Sequence, residues 1–107
     1  MDRISVDELN RLMNEGPKPT VIDACSRASR ARDGVIPGAI AFETLNMDVV
    51  HETLPPHLEV VIYCACPNEA SAARIAKRLH RLGFGRVRPL EGGIHAWQDA
   101  GYSTERR

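Results

Sequence analysis

Val60-Val61-Ile62-Tyr63-Cys64 is an unbroken run of β-forming and apolar residues, lacking the polar alternation of a strand with one wet face. Such a strand needs cover on both sides, so it belongs in the middle of a sheet with helices against each face. Thr20-Val21-Ile22-Asp23-Ala24 reads the same way. Ser5 and Glu8 form a capping box, and Leu9, Leu12 and Met13 recur at helical spacing, which predicts a helix over residues 6–14 ended by Gly16-Pro17-Lys18-Pro19. Ala72, Ala73, Ile75, Ala76, Leu79 and Leu82 place an apolar stripe on a helix that begins near Asn68 and closes at Gly83. Arg74, Lys77, Arg78 and Arg81 form its wet face. Short strands over 40–42 and 86–90, a weak helix around Leu45, Val49 and Val50, a turn at Glu91-Gly92-Gly93 and a last helix over 94–100 continue the alternation. Residues 25–33, rich in Ser and Arg, read as a loop. Alternating strand and helix call for an open parallel sheet with helices on both faces.

The chain has 107 residues, 43% hydrophobic and 26% charged, which suits a single domain over 1–107 with a core that needs no staples. Fourteen Lys plus Arg balance fourteen Asp plus Glu, so no global field exists to collect nucleic acid or anionic lipid. Three cysteines cannot all pair internally, and none shows the repeated spacing of a zinc site. A reduced, cytoplasmic setting with a working thiol is expected. No apolar run approaches the ~20 residues of a membrane span, and no basic-then-apolar leader opens the chain.

Cys64 stands where the central strand gives way to the helix. In open parallel sheets that junction gathers unpaired helix-start amides, which favour a thiolate or a bound anion. Cys64 is therefore the candidate nucleophile. The competing reading is a buried cysteine that merely completes the strand.

Three ordered segments carry a resemblance. Val21-Ile22-Asp23 leads to Ile36-Pro37-Gly38-Ala39; Tyr63-Cys64 precedes a six-residue loop and helix; Leu90-Glu91-Gly92-Gly93 is followed by Ala96-Trp97 and Ala100-Gly101. Over residues 4–103 the chain resembles the rhodanese-like domains. The resemblance implies an open parallel five-stranded sheet with helices on both faces, and Cys64 as the residue that takes sulfane sulfur as a persulfide. It implies loop amides at Ala65, Cys66, Asn68, Glu69, Ala70 and Ser71 around the sulfur, a sulfur donor and a thiol or cyanide acceptor as partners, and no metal or organic cofactor. The stretch over 64–71 looks most like rhodanese domains attached to DedA-type bacterial membrane proteins. That parentage implies covalent attachment to a membrane domain, at the cytoplasmic face of an inner membrane.

The loop departs from the usual pattern. It has no Lys or Arg between Cys64 and Ser71, it carries Glu69, and Pro67 removes an amide. A carboxylate beside the thiol disfavours thiosulfate and suits a less charged small-molecule or protein persulfide. Glu69 turned outward at the helix start would have no such effect. Cys66 reads either as the partner of Cys64 in a reversible disulfide or sulfur shuttle, or as a small loop residue. Cys25 is an auxiliary resolving or metal-binding candidate. Arg27, Arg30 and Arg32 form a local cationic loop that either replaces the missing cation or is simply solvated, and Asp23 and Asp33 match family positions that orient loops. His51, His57, His80 and His95 are scattered without metal spacing or an evident partner, and Trp97 reads as core. Two rival functions remain: a non-catalytic regulatory or redox-sensing module using Cys64 and Cys66, and a phosphatase or arsenate reductase. The second lacks the oxyanion-gripping Arg, since none follows Cys64 before Arg74.

Overall fold

The computed structural model describes residues 2–106. Strand β1 (Thr20–Asp23) is flanked by β2 (Ile40–Ala41) and β3 (Val60–Tyr63), and β4 (Val87–Pro89) lies beyond β3, giving the all-parallel order β2-β1-β3-β4. Helix α1 (Val6–Asn14) precedes β1, α2 (Arg27–Asp33) follows it, α3 (Val50–Thr53) precedes β3, and α4 (Ala70–Arg81) and α5 (Gly93–Asp99) follow β3 and β4.

The uninterrupted apolar character of β3 has its cause in two cores. Val60, Ile62 and Cys64 point to one face, where Val50, Leu54, Ala72, Ala76, Leu79 and Phe84 cover them. Val61 and Tyr63 point to the other, against Ile4, Leu9, Ile36, Ile94 and Trp97. Trp97 is 2% exposed, and its indole N–H donates to the Ser103 carbonyl at 2.9 Å. The alternation of β3 thus places Cys64 on the α4 side of the sheet.

The expected fifth strand is reduced to one residue. Ile4 makes a single parallel bridge to Leu90, with Ile4 N–H to Pro89 O at 3.0 Å and Glu91 N–H to Ile4 O at 2.8 Å. Ser5 already caps α1, accepting from the Glu8 amide at 3.1 Å, so the pairing cannot continue past Ile4. The expected loop over 25–33 is in fact mostly α2. Ser26 caps it by accepting from the Ser29 amide at 3.1 Å, and Ala28, Arg30 and Ala31 favour a helix, but Ser29 alone is buried, so no apolar stripe marks it. The strand expected over 40–42 ends at Ala41, because Phe42–Thr44 closes into a 3-10 turn. The weak helix after Leu45 resolves into a 3-10 turn, Met47–Val49, and the short α3. Helix α4 starts at Ala70 rather than Asn68, because Asn68 (φ 55°) and Glu69 (φ 54°) are both left-handed.

Candidate functional site

The left-handed pair shapes the loop after β3. Two consecutive non-glycine residues with positive φ curl the chain back over the end of the strand, a conformation held only where surrounding contacts enforce it. Glu69 supplies those contacts. It is 4% exposed, its Oε1 accepts the Gly92 amide at 2.7 Å, and Arg3 Nη1 donates to both carboxylate oxygens at 3.2 and 3.3 Å. Glu69 therefore neither turns outward nor opposes the thiol as a free charge. Its carboxylate is neutralised by a guanidinium and an amide, and it ties the loop to the N-terminal segment and to the turn before α5. Arg3 has no sequence signal; the Ile4–Leu90 bridge delivers it to the loop.

Because Glu69 leaves α4 without a side-chain cap, the first amides of the helix are open. Two of them, at Ser71 and Ala72, lie beside the cysteines. The Cys66 and Ala72 amides favour the thiolate of Cys64, and the Ser71 amide favours that of Cys66. Ala72, hidden inside a run read as apolar stripe, is the contributor that sequence reasoning missed. Of the other expected amides, Glu69 donates to the Cys66 carbonyl at 3.3 Å and Ala70 to the Pro67 carbonyl, so both close the loop instead of facing a sulfur. Ala65 is half-buried and Asn68 exposed on the same curl.

The two thiols of the loop differ sharply. Cys64 is 1% exposed, and burial pushes its thiol up in spite of the two amides, with the neighbouring Cys66 adding to the rise. Cys66 is exposed and its thiol is pulled down, first by the Ser71 hydroxyl 3.1 Å from its sulfur, then by the Ser71 amide, the Cys64 thiol and the charge of Arg74. Cys64 and Cys66 stand two residues apart on the same curl and shift each other, Cys66 raising the Cys64 thiol and Cys64 lowering that of Cys66.

Cys25 lies on the same edge. Its thiol is pushed up to about 12 by burial and by Asp23, to which its amide donates at 2.8 Å. At neutral pH it is a protonated wall residue. Asp23 is the anchor of this edge: 1% exposed, it accepts the Tyr63 hydroxyl at 2.7 Å and lies 3.2 Å from Arg30 Nε. Tyr63 in turn accepts the Ile36 amide at 3.1 Å.

The expected cationic loop is dispersed by helix formation. Arg30 turns inward to Asp23 and to Glu43, Arg32 pairs with Asp33 at 3.0 Å, and only Arg27 stands exposed and without an ion pair to a carboxylate within 4 Å. Asp33 also accepts from Ser29 at 3.4 Å and meets His95 at 3.1 Å, so His95 does have a partner, while the His51 ring stacks on Phe84 at 5.1 Å. Among the described residues no group of three or more His, Cys, Asp or Glu side chains is placed to hold a metal ion.

A recess of about 400 Å³ opens on this edge, with Ala24, Cys25, Ser29, Arg32, Cys66 and Ser71 in its wall. Its lining is small and weakly charged, and Cys66 is the acidified thiol in it. Alkylation under native conditions should therefore proceed at Cys66 first. Its rate should rise with pH through a lower midpoint than that of either other thiol, because the lowered group forms thiolate earlier. Cys64 and Cys25 should lag at least ~10-fold across that window. Peptide mapping after timed iodoacetamide exposure checks the order, and equal labelling of Cys64 and Cys66 at neutral pH would contradict it.

Residues 5–100 match the family model of the rhodanese-like domain. Over 97 residues the chain is 28% identical to a sulfurtransferase of Allochromatium vinosum, covering 91% of this chain and 88% of the relative. The crystal structure of a protein from Anabaena sp. superposes with a TM-score of 0.81 at 28% identity, covering 97% of this chain and 82% of that one. The polysulfide-sulfur transferase homodimer of Wolinella succinogenes superposes with a TM-score of 0.76 at 24% identity, covering 100% of this chain and 80% of that one, a likeness of fold.

Proposed function

Because this chain belongs to the rhodanese-like domain family, we propose that it is a sulfurtransferase that holds sulfane sulfur as a persulfide on Cys64. The observation that carries this reading is the place of Cys64 directly after β3, at the start of the curled loop, where the Cys66 and Ala72 amides favour its thiolate. Those donors stabilise negative charge on a sulfur that burial otherwise keeps protonated. Each transfer is the attack of a thiolate on the outer, sulfane sulfur, with the thiolate that carried it as leaving group. The sulfur passes from donor to protein and from protein to a thiol or cyanide acceptor, and the chemistry uses side chains and amides alone.

The donor in this reading is a small-molecule or protein persulfide. With Glu69 neutralised by Arg3, the carboxylate is no longer the reason. The reason is the absence of any Lys or Arg between Cys64 and Ser71, together with a recess whose one guanidinium, Arg32, is already paired with Asp33. A dianionic donor finds little there to replace its hydration. Balanced overall charge gives no support to a nucleic-acid partner. The stretch over 64–71 supports descent from DedA-type membrane proteins and work at the cytoplasmic side of an inner membrane. Among the described residues no helix is long and apolar enough to cross one.

Reduced protein incubated with cysteine persulfide and freed of excess reagent should carry one added sulfur atom, mapped to Cys64 and deliverable to a thiol. Cys64→Ser should retain less than about a hundredth as much. Sulfur retained at another residue, or a wild-type protein that takes none, overturns the assignment. The placing of Cys64 and Cys66 two residues apart on one loop, with each thiol shifting the other, favours one other reading, a redox-sensing module. A protein that refuses sulfur but forms a Cys64–Cys66 disulfide in mild oxidant would establish that one instead.

A further inference from the structure

The sulfur that should receive the cargo is shut away, and the sulfur beside it is not. Cys64 is 1% exposed and belongs to the apolar cluster under α4, whereas Cys66 is exposed and forms part of the recess wall. A donor persulfide is a bulky reagent that must align three sulfur atoms for exchange, and of the two sulfurs it is that of Cys66, not the buried Cys64, whose residue lines the recess. Resting on the assignment of Cys64 as the persulfide carrier, we propose that sulfur is loaded through Cys66, which takes it from the donor at the mouth and passes it to the buried Cys64.

The steps balance without a redox reagent. The Cys66 thiolate attacks the outer sulfur of R–S–SH, the S–S bond of the donor breaks, and R–S⁻ departs, leaving Cys66–S–SH. The Cys64 thiol then gives up its proton to solvent through the loop as its sulfur attacks that same outer atom. Cys66 leaves as thiolate and Cys64–S–SH remains. The exchange run backward returns the sulfur to the mouth for the acceptor.

Three features of the loop suit Cys66 to this task. Its sulfur is held by the Ser71 hydroxyl at 3.1 Å, a group itself 3.4 Å from Arg74 Nη2, so the thiolate is both oriented and stabilised where a donor arrives. Cys64 precedes it by two residues on the same curled loop, and each thiol shifts the other, so the acceptor of the second step stands beside the first. The direction is also set. The more acidic thiol is the better leaving group and the more basic one the better sulfur acceptor, so exchange between the lowered Cys66 and the raised Cys64 drives the cargo inward. Cys25 cannot substitute, because its thiol is held protonated by burial and Asp23.

Rapid-quench loading with cysteine persulfide, alkylation and peptide mapping test the relay. In wild type the added sulfur should appear first on Cys66 and then on Cys64. Cys66→Ser and Cys66→Ala, at an exposed position, should load Cys64 at least ~10-fold more slowly to the same final extent. Ser71→Ala should slow loading several-fold with both cysteines intact, and Cys64→Ser should show a transient persulfide on Cys66 that is not retained. Loading of Cys66→Ser at the wild-type rate overturns the relay while leaving Cys64 as carrier. So does release of one sulfide per loaded protein with formation of a Cys64–Cys66 disulfide, since Cys66 would then attack the inner sulfur. A wild-type protein that takes no sulfur on either residue overturns the relay and the assignment together.

Discussion

Gly93→Ala should remove about 4 kcal/mol of folding stability or more, a large share of what a domain of this size possesses. Gly93 has φ +59°, and a Cβ built there would lie 2.0 Å from the Cys64 carbonyl oxygen and 3.2 Å from its carbon. Both are backbone atoms, so no rotamer change relieves the overlap. Helix α5 would have to withdraw from the end of β3, breaking the Ile94 N–H to Cys64 O bond of 3.2 Å and pulling the Gly92 amide from Glu69. The left-handed backbone adds a further cost of about 1–2 kcal/mol. Gly38→Ala is the matched control: its φ of +81° carries a similar conformational penalty, but nothing lies within 4 Å of the added atom. Urea unfolding should place Gly93→Ala far below Gly38→Ala, with a fall in melting temperature on the order of 15–30 °C. Equal stability of the two variants would show that the close approach of α5 to the Cys64 backbone is not what holds the loop.

Asp23→Ala should cost roughly 3–5 kcal/mol, the range for breaking a buried ion pair from one side. The Asp23 carboxylate accepts the Tyr63 hydroxyl and the Cys25 amide and faces Arg30, whose side chain is only 16% exposed. Removing it leaves a guanidinium without its inner partner and two donors unsatisfied on the edge that carries the recess. A second effect separates this mechanism from simple loss of packing. Asp23 is one of the groups that raise the Cys25 thiol, so its removal should bring that thiol down and speed Cys25 alkylation in the folded protein. Asp23→Asn, which keeps an acceptor oxygen but not the charge, should show the faster alkylation with a smaller loss of stability. A Cys25 that stays as slow in both variants would mean that burial alone governs it.

Much of the fold was legible because both-face burial leaves a local trace. Val60 to Cys64 and Thr20 to Ala24 are apolar without alternation, which is the consequence of two cores flanking one sheet, and the Ser5–Glu8 box and the α4 stripe mark their helices directly. Helix α2 was illegible for the converse reason. A helix that buries only Ser29 has no stripe, and its Ser and Arg content looks like a solvated loop until the Ser26 cap is recognised.

The site divides in the same way. That a cysteine ends the central strand and precedes a helix follows from residue order alone, because the strand and helix signals on either side are strong and local. That Glu69 faces Arg3, 66 residues away, and so is no threat to an anionic sulfur, follows only from the packed chain. So do the inward turn of Arg30, the pull of the Ala72 amide on the Cys64 thiol, and the contrast between one buried thiol and one exposed thiol two residues apart. Sequence periodicity encodes which face of an element seeks the core. Backbone dihedrals such as those of Asn68 and Glu69, and the burial of individual sulfur atoms, are set by contacts between distant segments and exist only once those segments have met.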